Sequence, residues 1–334
     1  MIHRGKAYAR AGLIGNPSDG YFGKTISISL RNYEASVSCY ESPRLTILPT
    51  RDGRLDFDSI DGLVQDVARH GYYGGVRLIK AAIKRFGEYC RDEDIELRSR
   101  NCTLEYETDI PIRVGLAGSS GIVCAAIRAL MVFYDVEIPK TLLPNLILSV
   151  ELDELGIGAG LQDRVIQVYE GAVYMDFDRA KIELQGHGEY VPLDPSSLPP
   201  LFVAYHSHLA EGTEITHNDL RSRYDRGDQQ VHLAMKQFAS LAEQARDCIA
   251  AGRGGEIGPL MDANFDLRAQ LVPISKGNWR LIEIGREHGA HVKFAGSGGA
   301  VIGTYDGDPQ RLARIRQAYE AFEASVIEPQ VGGG

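Results

Sequence analysis

The 334-residue chain reads as an α+β protein of two units, and three observations point that way. A chain of this length exceeds what one hydrophobic core usually serves. Strand-like and helix-like patterns are mixed along it without an internal repeat, as layered α+β architectures require. A polar, proline-rich stretch at residues 194–200 interrupts those patterns, and the units are accordingly placed at residues 1–190 and 191–334.

The opening unit is β-rich. Residues 7–15 read as a strand ending in a polar turn, and residues 25–31 alternate Ile and Leu with polar side chains, the period of a half-buried strand. Further strand-like pieces lie at residues 35–40 and 44–48. Helical spacing begins near Ser59 and returns at residues 75–91, where Val76, Ile79, Lys80, Ile83 and Phe86 fall on one face. A strand at residues 103–108 leads through a glycine-rich loop into an apolar helix of small residues, 122–134. Helices fit residues 141–155 and 161–169, and strands fit 172–177 and 181–184. The second unit opens with a strand at 201–206. Helical patterns follow at 229–251, 256–272 and 279–288, then a strand pair at 291–294 and 300–305 and a closing helix at 309–325. The Gly-rich tail, 331–334, is expected to fray.

Bulk properties exclude several functions. Lys plus Arg is 36 against 45 for Asp plus Glu, a net charge of −9 without a basic run, which argues against nucleic acid as a partner. No apolar run is long enough to span a bilayer, and the first ten residues lack the features of a secretory signal, so a soluble cytoplasmic protein is expected. Cys39, Cys90, Cys102, Cys124 and Cys248 lack Cys-x-x-Cys spacing and are read as reduced thiols in or near the core.

The chemistry concentrates in Pro111-Ile112-Arg113-Val114-Gly115-Leu116-Ala117-Gly118-Ser119-Ser120-Gly121, which runs into a helix start. Unpaired N–H groups and the positive end of the helix dipole suit phosphate there. The three glycines let backbone approach a triphosphate, and Ser119 or Ser120 can cap the helix or reach a metal ion. A plain Gly/Ser loop capping a buried helix fits the motif equally well. The near-Walker run at residues 18–25 lacks its first glycine and leads into a strand.

Three motifs in order resemble the GHMP kinases, the superfamily of galactokinase, homoserine kinase and mevalonate kinase. They are Arg10-Ala-Gly-Leu-Ile-Gly15-Asn16-Pro-Ser-Asp19-Gly-Tyr-Phe-Gly23, the loop above, and Lys293-Phe-Ala-Gly296-Ser297-Gly298-Gly299-Ala300. The first lies without gaps on the galactokinase-like pattern, with Asn16-Pro17 in place of Glu-His. The loop departs by one extra residue at Ala117-Gly118 and by Gly121 in place of Ala. Between motifs, Glu151 and Asp163 flank a glycine turn and look like the family's Glu and catalytic Asp. The phrases around Asp163-Arg164 and Asn264-Phe265-Asp266-Leu267-Arg268 are similar to the glucuronokinase branch.

The resemblance implies a domain like ribosomal protein S5 domain 2 followed by a ferredoxin-like one. It also implies an ATP- and Mg²⁺-dependent kinase acting on the anomeric hydroxyl of D-glucuronate. It makes Asp163 and Arg10 catalytic, and assigns ATP to Pro111, Gly115, Leu116, Ala117, Gly118, Ser119, Ser120 and Gly121. Mg²⁺ falls to Ser120 and Glu151, with Lys293 and Arg113 as further charge partners. Substrate falls to Asn16, Asp19, Arg268, Gly296, Ser297 and Gly298. Arg268 is the first candidate for a uronate carboxylate, ahead of Arg221 and Arg223. Another sugar kinase of the superfamily, galactokinase-like or acting on a heptose, is the runner-up. A dead sugar- and nucleotide-binding sensor is the rival from a different class.

Overall fold

The computed structural model describes residues 1–48, 75–209 and 213–332; the helical spacing near Ser59 lies outside them. The first sheet is built from β1 (Ile2–Ile14), β2 (Lys24–Ser42) and β3 (Thr46–Leu48), joined after helix α1 (Gly75–Asp92) by β4 (Asn101–Thr108). Helices α2 (Gly118–Tyr134), α3 (Leu143–Ser149) and α4 (Gln162–Tyr169) follow, then β5 (Ala172–Asp176), α5 (Arg179–Gln185) and β6 (Glu189–Leu193). Strand order is β3-β4-β2-β5-β6 with β1 pairing antiparallel to β2. The fragments at 25–31 and 35–40 are one strand, because the register with β1 shifts at Tyr8/Ala9 and pairing then continues.

The second sheet has the order β10-β7-β9-β8 and is antiparallel throughout. Its strands are β7 (Leu201–Tyr205), β8 (His291–Phe294), β9 (Ala300–Thr304) and β10 (Ser325–Ile327). Five helices accompany them: α6 (Thr213–Asp225), α7 (Gln229–Ala250), α8 (Gly258–Leu271), α9 (Lys276–Glu287) and α10 (Pro309–Glu320). One large core joins α2, β1 and β2 to residues of α7, β7 and β9, so side chains from both sheets share a packed interior. No helix among the described residues is long and apolar enough to cross a membrane.

Four local expectations change. Residues 181–184 are helical, because Asp178 caps the N–H groups of Ala180 and Lys181 and left-handed Gly186 ends the helix; the strand comes later, as β6. The closing helix stops at Glu320 and a turn releases β10 to pair with β7. Of the face drawn on α1, Ile79 and Phe86 are buried but Lys80 faces solvent; Leu78, Ala82 and Cys90 complete the buried stripe. The helix expected over 141–155 is α3 followed by a wider π turn at Val150–Glu154. All five cysteines are free thiols, four of them buried.

Candidate active site

Arg10, near the end of β1, is buried, and its guanidinium is shared among three segments. Nε and Nη2 donate to the two oxygens of Asp163 at 2.6 and 2.9 Å, a bidentate fork. Nη1 donates to the carbonyls of Gly115, at 2.5 Å, and Ala295, at 3.0 Å. One side chain thus ties the acid to both glycine loops.

Asp163 stands in the first turn of α4. Burial alone would push its carboxyl up, but the charges of Arg10 and Arg164 and the hydrogen bonds from Arg10 and Gln162 outweigh it and hold the acid below the ordinary range. Asp19, in the short turn Ser18–Tyr21, accepts from the Gln162 N–H at 3.4 Å. Here burial and the Asp163 charge win, and its pKa rises to about 6. Two adjacent acids are therefore pushed in opposite directions. A Cβ at Gly160 would run into Asp19 Oδ2, so glycine there leaves the Asp19 carboxylate where it is.

The first loop enters α2 earlier than the apolar pattern suggests. Ala117 takes a left-handed conformation, φ 64°, and the Gly121 N–H bonds its carbonyl at 3.1 Å as the helix's opening bond. The residues from Gly118 onward are thus helical. A left-handed alanine is strained, and two more donors to the same carbonyl hold it: Gln167 Nε2 at 2.9 Å and Ser120 Oγ at 3.2 Å. Ahead of that opening bond the N–H groups of Gly118 and Ser120 have no intrahelical acceptor.

The second loop lies against the first. A Cβ on Gly296 would be 2.3 Å from the Gly115 carbonyl, so the two backbones touch directly. Arg268 reaches it from α8, donating to the carbonyls of Gly296 at 3.0 Å and Ser297 at 2.8 Å. Asn278 Oδ1 accepts from the Gly299 N–H at 2.8 Å. On the same helix as Arg268, Asn264 accepts from Gly15 N–H at 2.6 Å and donates to the Asn16 carbonyl at 3.1 Å. Helix α8 therefore secures the first motif and the third together.

The chain matches the model of the GHMP kinases N terminal domain over residues 77–171 and that of the GHMP kinases C terminal domain over 245–324. It is 43% identical to glucuronokinase 1 of Arabidopsis thaliana, covering 89% of this chain and 83% of that one. It is 42% identical to the probable glucuronokinase 2 of that plant, covering 97% and 90%. The chain is a GHMP kinase. Its two-domain fold, with mixed helices and sheets, is that of solved structures such as the galactokinase of Lactococcus lactis complexed with galactose. That chain has a TM-score of 0.76 at 16% identity, with 100% of this chain and 94% of the other covered. The Lin0012 protein of Listeria innocua superposes with a TM-score of 0.80 at 14% identity, covering 100% and 98%.

Among GHMP kinase residues named from sequence, the structure gathers Arg10, Asp163, Asp19, Asn16, Gly115, Gly296 and Ser297 into one cluster. Four assignments read differently in space. Arg268 is committed to the carbonyls of the second loop rather than presented as an open fork. Lys293 is fully buried and donates to the carbonyls of Gly12 and Phe294 at 2.7 and 2.6 Å. Burial, then the charges of Arg268 and Arg10, push its pKa well down. Arg113 is exposed at the loop's outer edge. Glu151, on the π turn, is locked in a buried ion pair with Arg164, whose Nε and Nη2 both meet Oε2.

Sequence reading gave no role to Gln162, Arg164, Gln167 or Asn278. Arg164 pairs with Glu151, lies 3.6 Å from Asp163 and donates to the Gly160 carbonyl at 2.8 Å. Its place beside Asp163 in the glucuronokinase-like phrase gives no contact, because neighbouring helix positions ordinarily face apart.

Proposed function

We propose that this chain transfers the γ-phosphoryl group of ATP to the anomeric hydroxyl of D-glucuronate, giving ADP and glucuronate 1-phosphate. The observation that carries the reading is the Arg10–Asp163 fork, which is fastened to both glycine loops and stands beside Asp19. The likeness to the two plant glucuronokinases supplies the substrate.

The anomeric oxygen attacks the γ-phosphorus as the bond to the β-phosphate oxygen breaks, and the hydroxyl proton leaves toward Asp163. An acid held well ionised is a weak base, so Asp163 chiefly orients the hydroxyl and accepts the proton late. A loose transition state rewards positioning and charge over early deprotonation. Arg10 fixes the direction of that carboxylate and couples it to the loop beneath the phosphates. The opening turn of α2 supplies N–H donors for the triphosphate.

The donor set at the nucleotide end fits a magnesium ion held in part by substrate. Ser120 Oγ donates to Ala117 and keeps its lone pairs, and Glu151 has Oε1 outside both Arg164 bonds. No group of three or more potential ligands exists among the described residues, so phosphate oxygens and water would complete the shell. When bound, Mg²⁺ supplies neutralisation of the charge developing between the β- and γ-phosphates.

For the uronate carboxylate we assign Arg221. Its Nη2 donates to the Gly20 carbonyl at 2.6 Å, in the turn that carries Asp19, and the rest of the exposed guanidinium lies over the Tyr21 ring. Arg223 is occupied by Asp228 and the Leu271 carbonyl. The test is kcat/KM with ATP and Mg²⁺ for glucuronate, galacturonate, glucose and galactose. Glucuronate is expected to be preferred, and Arg221→Ala to reduce that preference selectively. Equal use of glucose and glucuronate by the wild type removes the uronate assignment and leaves the kinase.

A further inference from the structure

The flank of Gly12 is crowded by three groups that converge from separate elements. A Cβ at that glycine would lie 3.1 Å from the Ala295 carbonyl, 3.2 Å from Gln162 Nε2 and 3.3 Å from Asn16 Cγ. Two of the three are amides on buried residues, Gln162 at 3% exposure and Asn16 at 5%. Each has its oxygen, Gln162 Oε1 and Asn16 Oδ1, buried with no hydrogen-bond donor in the protein. A buried carbonyl without a donor is costly, and native structures rarely keep one without a use. Two such oxygens belong to the amides that flank Gly12, and one of them is on the residue just before the acid that orients the reacting hydroxyl.

The rest of Gln162 is well anchored. Its backbone N–H donates to Asp19 Oδ2 at 3.4 Å, and its side chain hydrogen-bonds Asp163, helping to keep that acid ionised. A carboxylate only accepts, so the end of the amide toward Asp163 is its NH₂, which leaves the oxygen as the unpartnered end. What such an oxygen lacks is a proton donor on a ligand.

We infer that Gln162 is a specificity-determining residue: its Oε1 accepts a hydrogen bond from a non-reacting hydroxyl of the sugar, while Asn16 Oδ1 accepts from a second. The inference rests on the sugar-kinase reading but not on the sugar being glucuronate. It explains why a neutral amide, and not a third carboxylate, stands between Asp19 and Asp163. An acceptor is supplied without another negative charge beside two acids. It also divides labour within one residue, since the nitrogen of Gln162 steadies Asp163 and the oxygen reads the substrate.

The experiment uses the full-length enzyme, ATP, Mg²⁺ and whichever sugar it phosphorylates best. Each non-reacting hydroxyl of that sugar is replaced in turn by hydrogen and by fluorine. At one position both replacements are expected to lower kcat/KM on the order of 10²-fold, because neither can donate to the waiting oxygen. In Gln162→Met that discrimination falls to within about tenfold while discrimination at the other positions persists. Gln162→Glu keeps the oxygen and retains the discrimination, but its added charge beside Asp19 and Asp163 displaces the pH profile. This second variant and the wild-type series suffice if Gln162→Met does not fold. A fluoro analogue that restores activity at every sensitive position would overturn the inference, since it would show donors, not acceptors, facing the sugar. So would a Gln162→Met enzyme as selective as wild type. Should another sugar be preferred over glucuronate while the Gln162 pattern holds on it, the uronate reading alone falls. If no sugar is turned over, both fall.

Discussion

Two buried arginine–carboxylate pairs lie side by side in this GHMP kinase, and they differ in how closed they are. In Arg164–Glu151 the side chains are 5% and 3% exposed, whereas in Arg10–Asp163 the acid retains 19%. Arg164 spends its bonds within one corner, on Glu151 and on the Gly160 carbonyl. Arg10 spreads its bonds over Asp163, Gly115 and Ala295. The closed pair braces the glycine turn ahead of α4, and the half-open pair offers a carboxylate edge to a reactant. Between them Arg164, 3.6 Å from Asp163, adds its positive charge to that of Arg10 in holding the acid ionised.

The sharpest break of that contrast comes from neutralising each acid. Asp163→Asn should lower kcat by about two to four orders of magnitude, with ATP affinity retained, as single-turnover and nucleotide-binding measurements would report. Near-normal turnover would remove Asp163 from the mechanism. Glu151→Gln takes away the nearest counter-charge of buried Arg164 and leaves only Asp163 at 3.6 Å, so its first effect falls on folding, a loss of about 3 kcal/mol in denaturant unfolding. If Glu151→Gln instead folds like wild type but needs far more Mg²⁺, the closed pair is a metal site first and a brace second.

A smaller effect separates two readings of Arg268. As support for the second loop, Arg268→Ala should reduce kcat/KM roughly 10- to 100-fold, equally for acidic and neutral sugars, because two carbonyls lose their donors. A loss confined to the uronate would return Arg268 to the carboxylate.

The contrast also shows what a sequence can carry. Arg10, Asp163 and the glycine loops were legible because each occupies a fixed place in an ordered motif, and steric demands at Gly115 and Gly296 leave glycine little alternative. The fold class was legible from periodicity and the motifs together. What escaped was pairing over long separations. Arg268 and Asn264 look like the polar face of a surface helix, yet both are buried because α8 lies under the two loops, a placement that only tertiary packing decides. Lys293 is a related case, since its burial among backbone carbonyls, which pushes its pKa down, is not visible in residue type. The strand expected at residues 181–184 failed on local chemistry, where the Asp178 cap and Gly186 terminator outvoted the apolar alternation.

The smallest effect concerns Asp19, and its sign follows from comparison with Asp163. Asp19 is raised from 3.8 to about 6, so the folded protein holds its proton more tightly than the unfolded chain does. Its contribution to stability is present below the unfolded value and is lost as pH rises through about 6. Asp163 is lowered, and its contribution runs the other way, present at neutral pH and lost as acid is added. Asp19→Asn should therefore flatten the fall in stability between about pH 4 and pH 6, leaving the acid limb due to Asp163 in place. In catalysis the ionised Asp19 is the better acceptor for sugar hydroxyls, so kcat/KM for the sugar should climb through pH 6 and level off above it. That limb should vanish in Asp19→Asn while the dependence on ATP stays unchanged. A limb that persists in the variant would move the titrating group elsewhere and leave Asp19 a structural partner of the Gln162 N–H.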